Sequence, residues 1–112
     1  MFSFLSKSSG VDISISEFKE KAESNPGVII DVRTKQEYDQ GHLKMTDAQY
    51  DWNGGEFQEA IEGLDKDKTY YLYCRSGNRS GQAARMMKNE GFENVYNIGG
   101  FDDLANNGFE SE

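Results

Sequence analysis

Tyr70-Tyr71-Leu72-Tyr73-Cys74-Arg75-Ser76-Gly77-Asn78-Arg79-Ser80 is the stretch on which the reading of the fold turns. Its first four residues read as a short strand. From about Arg79 to Asn89 the chain favours a helix, with Gly91 to close it. Arg75 to Ser80 lead from the strand end into that helix. Ligands of open parallel sheets bind beyond the carboxyl ends of the strands. Cys74 therefore stands where chemistry collects.

Working outward, Ser14 and Glu17 have capping-box spacing, and Ile15, Phe18 and Ala22 follow at helical intervals, so a first helix is expected over about 15 to 24, ended by Asn25-Pro26-Gly27. Val28-Ile29-Ile30-Asp31-Val32 is a β-branched run without alternation and reads as a strand buried on both faces, which implies a parallel sheet. Thr34 and Glu37 repeat the capping-box spacing and open a short helix that Gly41 can close in the left-handed conformation. Phe57, Ala60, Ile61 and Leu64 are spaced for a further amphipathic helix, Val95 to Ile98 for a last strand, and a polar strand is expected around Asp47 to Tyr50. This alternation specifies an α/β fold with a mostly parallel sheet and helices on both faces. Residues 1–10 read as a flexible lead-in, 11–109 as one domain and 110–112 as a tail, with fraying from Asn106-Asn107-Gly108 onward.

The chain has 112 residues, of which 36% are hydrophobic, enough for one core and not for two. Its net charge of −8 argues against nucleic acid and anionic membrane as partners, since the field repels polyanions. Against that background Arg75, Arg79, Arg85 and Lys88 form a local basic window without an acidic residue. One cysteine excludes an intramolecular disulfide, and with one histidine it leaves too few ligands for a Cys/His metal site; no metal or cofactor is called for. The apolar start is too short for a signal-peptide core and no run approaches a membrane span, so a cytoplasmic protein is expected.

Gly77 permits backbone conformations closed to other residues, and successive inward N–H groups ahead of a helix form an anion-binding nest. The helix N-terminus adds partial positive charge. With Arg75 and Arg79 near in sequence, these donors are expected to lower the pKa of Cys74 and favour the thiolate, the reactive nucleophile. A lone cysteine is more often a small buried hydrophobe. That role gains nothing from a following Arg-Ser-Gly-Asn-Arg-Ser, so the context favours a nucleophile.

Four motifs in fixed order carry a resemblance to the rhodanese family, from about Asp12 to Phe109: Asp31-Val32-Arg33, Glu37-Tyr38 with Gly41-His42-Leu43, the Cys74 to Ser80 loop, and Gly99-Gly100-Phe101 with Leu104. The resemblance implies a single rhodanese-like domain with a five-stranded sheet, and a ping-pong sulfur transfer through a persulfide on Cys74. It implies a small sulfur-containing anion such as thiosulfate as donor, and cyanide, a thiol or a protein as acceptor. The backbone from Arg75 through Ser76, Gly77, Asn78 and Arg79 to Ser80 then holds the sulfur, and the Arg75 and Arg79 side chains help to bind the donor. The chain departs from the family pattern at Met45-Thr46, where Gly-Ala is usual, and at Leu104, where Trp is frequent.

Asp31, Arg33, Glu37 and His42 are read as structural supports, with an Arg33–Glu37 pair joining the strand end to the short helix. Trp52, Tyr50 and Tyr73 fit either core or pocket wall. Two other functions compete. Cysteine-dependent phosphatases and arsenate reductases share the fold, but space cysteine and arginine more widely than the four residues between Cys74 and Arg79. A persulfide relay or binding module is the other; pure binding modules of this fold typically lack the cysteine.

Overall fold

The computed structural model describes residues 10–112, so the lead-in expected for 1–10 lies, apart from Gly10, outside the described residues. Ser14 opens α1 (Ile15–Ser24): its hydroxyl accepts from the Glu17 N–H at 3.0 Å, and the Glu17 carboxylate accepts from the Ser14 N–H at 2.8 Å. After β1 (Val28–Asp31), Thr34 caps α2 (Lys35–Gln40) by the same reciprocal bonds with Glu37. Then come β2 (Ala48–Gln49), α3 (Glu56–Ala60) with a 3-10 turn over Ile61–Gly63, β3 (Thr69–Cys74), α4 (Asn78–Asn89), β4 (Asn94–Gly100) and α5 (Phe101–Asn106).

The sheet runs β2-β1-β3-β4 with every neighbour parallel. Strand side chains alternate between its faces. Ile30, Val32, Tyr70, Leu72 and Cys74 pack with Phe57, Ile61, Ala83, Ala84 and Met87 on the side of α3 and α4. Ile29, Tyr71, Tyr73 and Ile98 pack with Phe18 of α1 and Leu104 of α5 on the other. Each large side chain so buried contributes about 1.5–3 kcal/mol. The alternation therefore sends Cys74 to the α4 side, and Tyr73, a core residue, to the other.

Four strands stand where the resemblance implied five. The fifth is reduced to a single bridge of Asp12 beside Asn97, in which the Asn97 N–H donates to the Val11 carbonyl at 2.7 Å and the Ile13 N–H to the Asn97 carbonyl at 3.1 Å. It ends there because Ser14 already turns the chain into α1. The polar strand near Asp47 is present but short, with Tyr50 and Trp52 half-buried against the α3–α4 core. Its polarity has a use: the Asp47 carboxylate accepts the Ile29 N–H at 2.9 Å while the Asp47 N–H donates to the Ile29 carbonyl at 2.8 Å.

The chain end does not fray as expected. Leu43 bridges Ser111 in antiparallel fashion, and the Glu112 N–H donates to the His42 carbonyl at 2.8 Å. Gly41 leaves α2 at φ 155°, ψ 138°, a positive-φ conformation that favours glycine but is not the αL cap expected. The sequence reading also passed over α5, which has no side-chain cap and follows two glycines, although Phe101, Leu104 and Ala105 have helical spacing.

Candidate active site

β3 ends on Cys74, and α4 begins at Asn78, sooner than expected, so the loop proper is only Arg75 to Gly77. Gly77 turns the chain at φ +95°, where a Cβ would stand 3.3 Å from Gly99 Cα. The turn brings the Gly77 N–H to 3.0 Å from Cys74 Sγ, and the first turn of α4 adds the Ser80 N–H and Ser80 Oγ, each at 3.4 Å. Cys74 is 0% exposed, deeper than an open nucleophile. Burial pushes its thiol up, but the Ser80 hydroxyl and the N–H groups of Ser80, Ser76 and Gly77 outweigh it and leave the pKa below its ordinary value. The two arginines expected to share this work are not among those leading causes, although Cys74 is one of the lesser charges that keep Arg79 protonated.

The supporting residues pair differently from the reading. Arg33 does not join Glu37; its Nε and Nη2 hold Asp31, Nη2–Oδ2 at 2.8 Å, and Nη2 also donates to the Gly41 carbonyl at 2.7 Å. Asp31 is fully buried, so the nearer carboxylate, in the same strand end, captures the guanidinium. Burial pulls the Arg33 pKa down, yet the Asp31 bonds hold it above its ordinary value. Glu37 is left for Arg79, which grips it with Nη1 at 2.8 Å and Nη2 at 3.0 Å. That fork is the first cause of a Glu37 pKa of about 2; burial opposes it and the Thr34 N–H assists. Arg79 thus ties α4 to α2 and does not present its fork to solvent.

Arg75 is exposed and has no ion-pair partner among the described residues. It lines a cleft of about 270 Å³ with Arg33, Glu37, Gln40, Phe101 and Asp102. Ser76, Gly77 and Asn78 line a second cleft of about 300 Å³ on the other flank of the loop, with Arg85 and Asn97. His42 is not brought to Cys74: its ring stacks on Tyr38 at 3.7 Å, Nδ1 lies 3.0 Å from the Tyr38 carbonyl, and Nε2 faces the Glu112 carboxylate at 3.5 Å.

The sequence reading missed Asn97, whose nearly buried side chain bonds Gly77, Gly99, Ser80 and Asp12 together behind the loop. An amide set between Tyr96 and Ile98, where the strand is otherwise aromatic or aliphatic, was the available signal. Gly100, named above within the Gly99-Gly100-Phe101 motif, gains a reason here: a Cβ there would lie 2.5 Å from the Arg75 carbonyl oxygen, so only glycine lets β4 approach the loop this closely.

The family model of the rhodanese-like domain matches residues 14–107. Thiosulfate sulfurtransferase PspE of Escherichia coli (strain K12) is 35% identical over 78 residues, which cover 68% of this chain and 72% of that protein. The "Putative sulfur carrier protein YrkF" of Bacillus subtilis (strain 168) is 36% identical over 88 residues, covering 78% of this chain but only 46% of that longer protein. A crystal structure of a rhodanese-related protein from Thermoplasma volcanium superposes with a TM-score of 0.74 over 91% of this chain and 97% of that one, at 24% identity, a likeness of fold. Matched from the cap of α1 to the end of α5, with the cysteine cradle inside the match, the chain belongs to the rhodanese-like domain family.

Proposed function

We propose that the chain is a sulfurtransferase that carries a sulfane sulfur as a persulfide on Cys74. The observation that carries this reading is the cradle itself, a buried sulfur met by the N–H groups of Gly77 and Ser80 and the Ser80 hydroxyl, with its pKa depressed. With thiosulfate as donor, the Cys74 thiolate attacks the sulfane sulfur, an S–S bond forms, and sulfite leaves with the electron pair of the broken bond. The terminal sulfur then carries the negative charge until cyanide, a thiol or a protein thiolate removes it and returns the thiolate. Arg75, exposed beside the cleft, is the guanidinium that receives the donor's oxygens, while Arg79 braces the loop through Glu37.

A relay that receives sulfur from a partner protein uses the same persulfide, and the complete burial of Cys74 favours a donor whose docking opens the loop. The phosphatase alternative is weakened because the arginine that should clamp a phosphoryl group is engaged by Glu37. Intact mass after incubation with thiosulfate tests the reading. One added sulfur that cyanide removes is expected, with none on Cys74→Ala; a protein that takes no sulfur from thiosulfate or from a low-molecular-weight persulfide refutes it.

A further inference from the structure

The carboxamide of Asn97 meets four partners, and their chemistry fixes its orientation. Nδ2 donates to the Gly77 carbonyl at 3.0 Å and to Asp12 Oδ1 at 2.9 Å. Oδ1 accepts the Gly99 N–H at 3.1 Å and lies 2.7 Å from Ser80 Oγ. A backbone N–H can only donate and a carbonyl can only accept, so the amide cannot be turned over. Oδ1 has no proton, and across that 2.7 Å the Ser80 hydroxyl must be the donor. A hydroxyl has one proton. The same Oγ lies 3.4 Å from Cys74 Sγ, and while its proton points at Asn97 only a lone pair faces the sulfur. That arrangement suits a neutral thiol, whose S–H can donate to Oγ, and opposes an anionic sulfur.

We propose that Asn97 is the positioning residue of a hydroxyl switch: it holds the Ser80 proton while Sγ is neutral and yields it to Sγ when Sγ is anionic. Hydrogen bonds to a charged acceptor are roughly twice as strong as neutral ones, so the hydroxyl gains more at an anionic sulfur than it loses at Asn97. Only the direction of the O–H bond changes; no covalent bond is made or broken by the switch. In the transfer cycle, and here the inference rests on the sulfurtransferase reading, Sγ is anionic in the resting thiolate. Sγ becomes neutral once the S–S bond has formed and the charge sits on the terminal sulfur. The Ser80 proton then returns to Asn97, so one donor follows the charge while the Gly77 and Ser80 N–H groups stay fixed.

The charged groups around this unit are Arg79 of α4 with its partner Glu37 of α2, the Asp31–Arg33 pair at the end of β1, Asp12 on Asn97 Nδ2, and Arg85 of α4, which shares the cleft of Asp12 and Asn97. None is itself substituted in the variants that test it, and Ser80→Ala leaves the Asn97–Asp12 bond in place, whereas Asn97→Leu removes the donor to Asp12. In ¹⁵N-labelled protein without donor, the Asn97 side-chain amide signals should shift with pH at the midpoint of Cys74, and Ser80→Ala should abolish that shift while Cys74 still titrates. Asn97 signals that stay flat, or that shift equally in Ser80→Ala, overturn the proposal. A second measurement reads the opposite sign from a structural role. Asn97→Leu frees the hydroxyl for Sγ and should lower the alkylation midpoint of Cys74 by roughly half a unit, a fall that disappears in Asn97→Leu with Ser80→Ala. A rise, or a fall independent of Ser80, contradicts it. The NMR experiment leaves Asn97 in place and so decides even if Asn97→Leu fails to fold. Because neither measurement uses a donor, failure of persulfide loading refutes the sulfurtransferase reading alone, and a flat Asn97 signal refutes the switch alone.

Discussion

Two strand ends lie side by side at the carboxyl edge of the sheet, with Asp31 in register with Tyr73, and they treat charge in opposite ways. At the end of β1, the buried Asp31 meets a full counter-charge, the Arg33 guanidinium, at 2.8 Å. At the end of β3, Cys74 is equally buried, yet hydrogen-bond distance brings it only partial charges, two N–H groups and one hydroxyl. A full charge in bidentate contact fixes geometry and uses up the lone pairs of its partner. Partial charges favour an anion and leave it a lone pair for bond formation. The first arrangement builds scaffold, and the second keeps a nucleophile.

The largest effect should come from breaking the β1 arrangement. Asp31→Ala leaves the Arg33 guanidinium buried without its partner and should destabilise the fold by about 3–5 kcal/mol in urea unfolding. A loss below about 1 kcal/mol shows that the pair is not a scaffold. Glu37→Gln is intermediate, because both members of the Glu37–Arg79 pair are partly exposed, and about 2 kcal/mol is expected. Its pH dependence has a definite sign. The folded pKa of about 2 lies below the ordinary carboxylate value of 4.5, so the contribution is complete above about pH 5 and is lost as pH falls toward 2. Stability measured over that window should slope in the wild type and slope less steeply in Glu37→Gln, where the capping carboxylate Glu17 still contributes; parallel curves contradict the assignment. Arg75→Ala should change stability by less than about 0.5 kcal/mol, since the side chain is exposed and unpaired. Single-turnover loading from thiosulfate should nevertheless slow by roughly tenfold with cyanide unloading unchanged, the signature of a lost charge-assisted contact to the donor. Equal losses in both steps would make Arg75 a loop brace as well.

Much of this was legible in the sequence because it rests on local chemistry. The two capping boxes at Ser14 and Thr34 are settled within three residues, and both form as read. The buried strands announced themselves by composition, and the strand-to-helix passage through Cys74 and Gly77 followed from one glycine and its neighbours. What escaped depends on distant segments. Arg33 turns to Asp31, and the Glu37 it leaves is taken by Arg79, a partner 42 residues along the chain that no local pattern names. The fifth strand fails because the α1 cap stands too close to Asp12, and the tail is ordered by a bridge to Leu43 that no local pattern encodes. Asn97 matters through four contacts, of which two reach back to Gly77 of the loop and Ser80 of α4.

The titration of Cys74 tests the contrast between the two strand ends most directly. Alkylation by iodoacetamide, followed against pH at low and high salt, should give a midpoint below the free-cysteine value of about 8.5, and salt should hardly move it, because donors in contact are not screened as distant charges are. A midpoint at or above that value would show that burial overcomes the cradle and that Cys74 is held as an inert thiol, which contradicts the account.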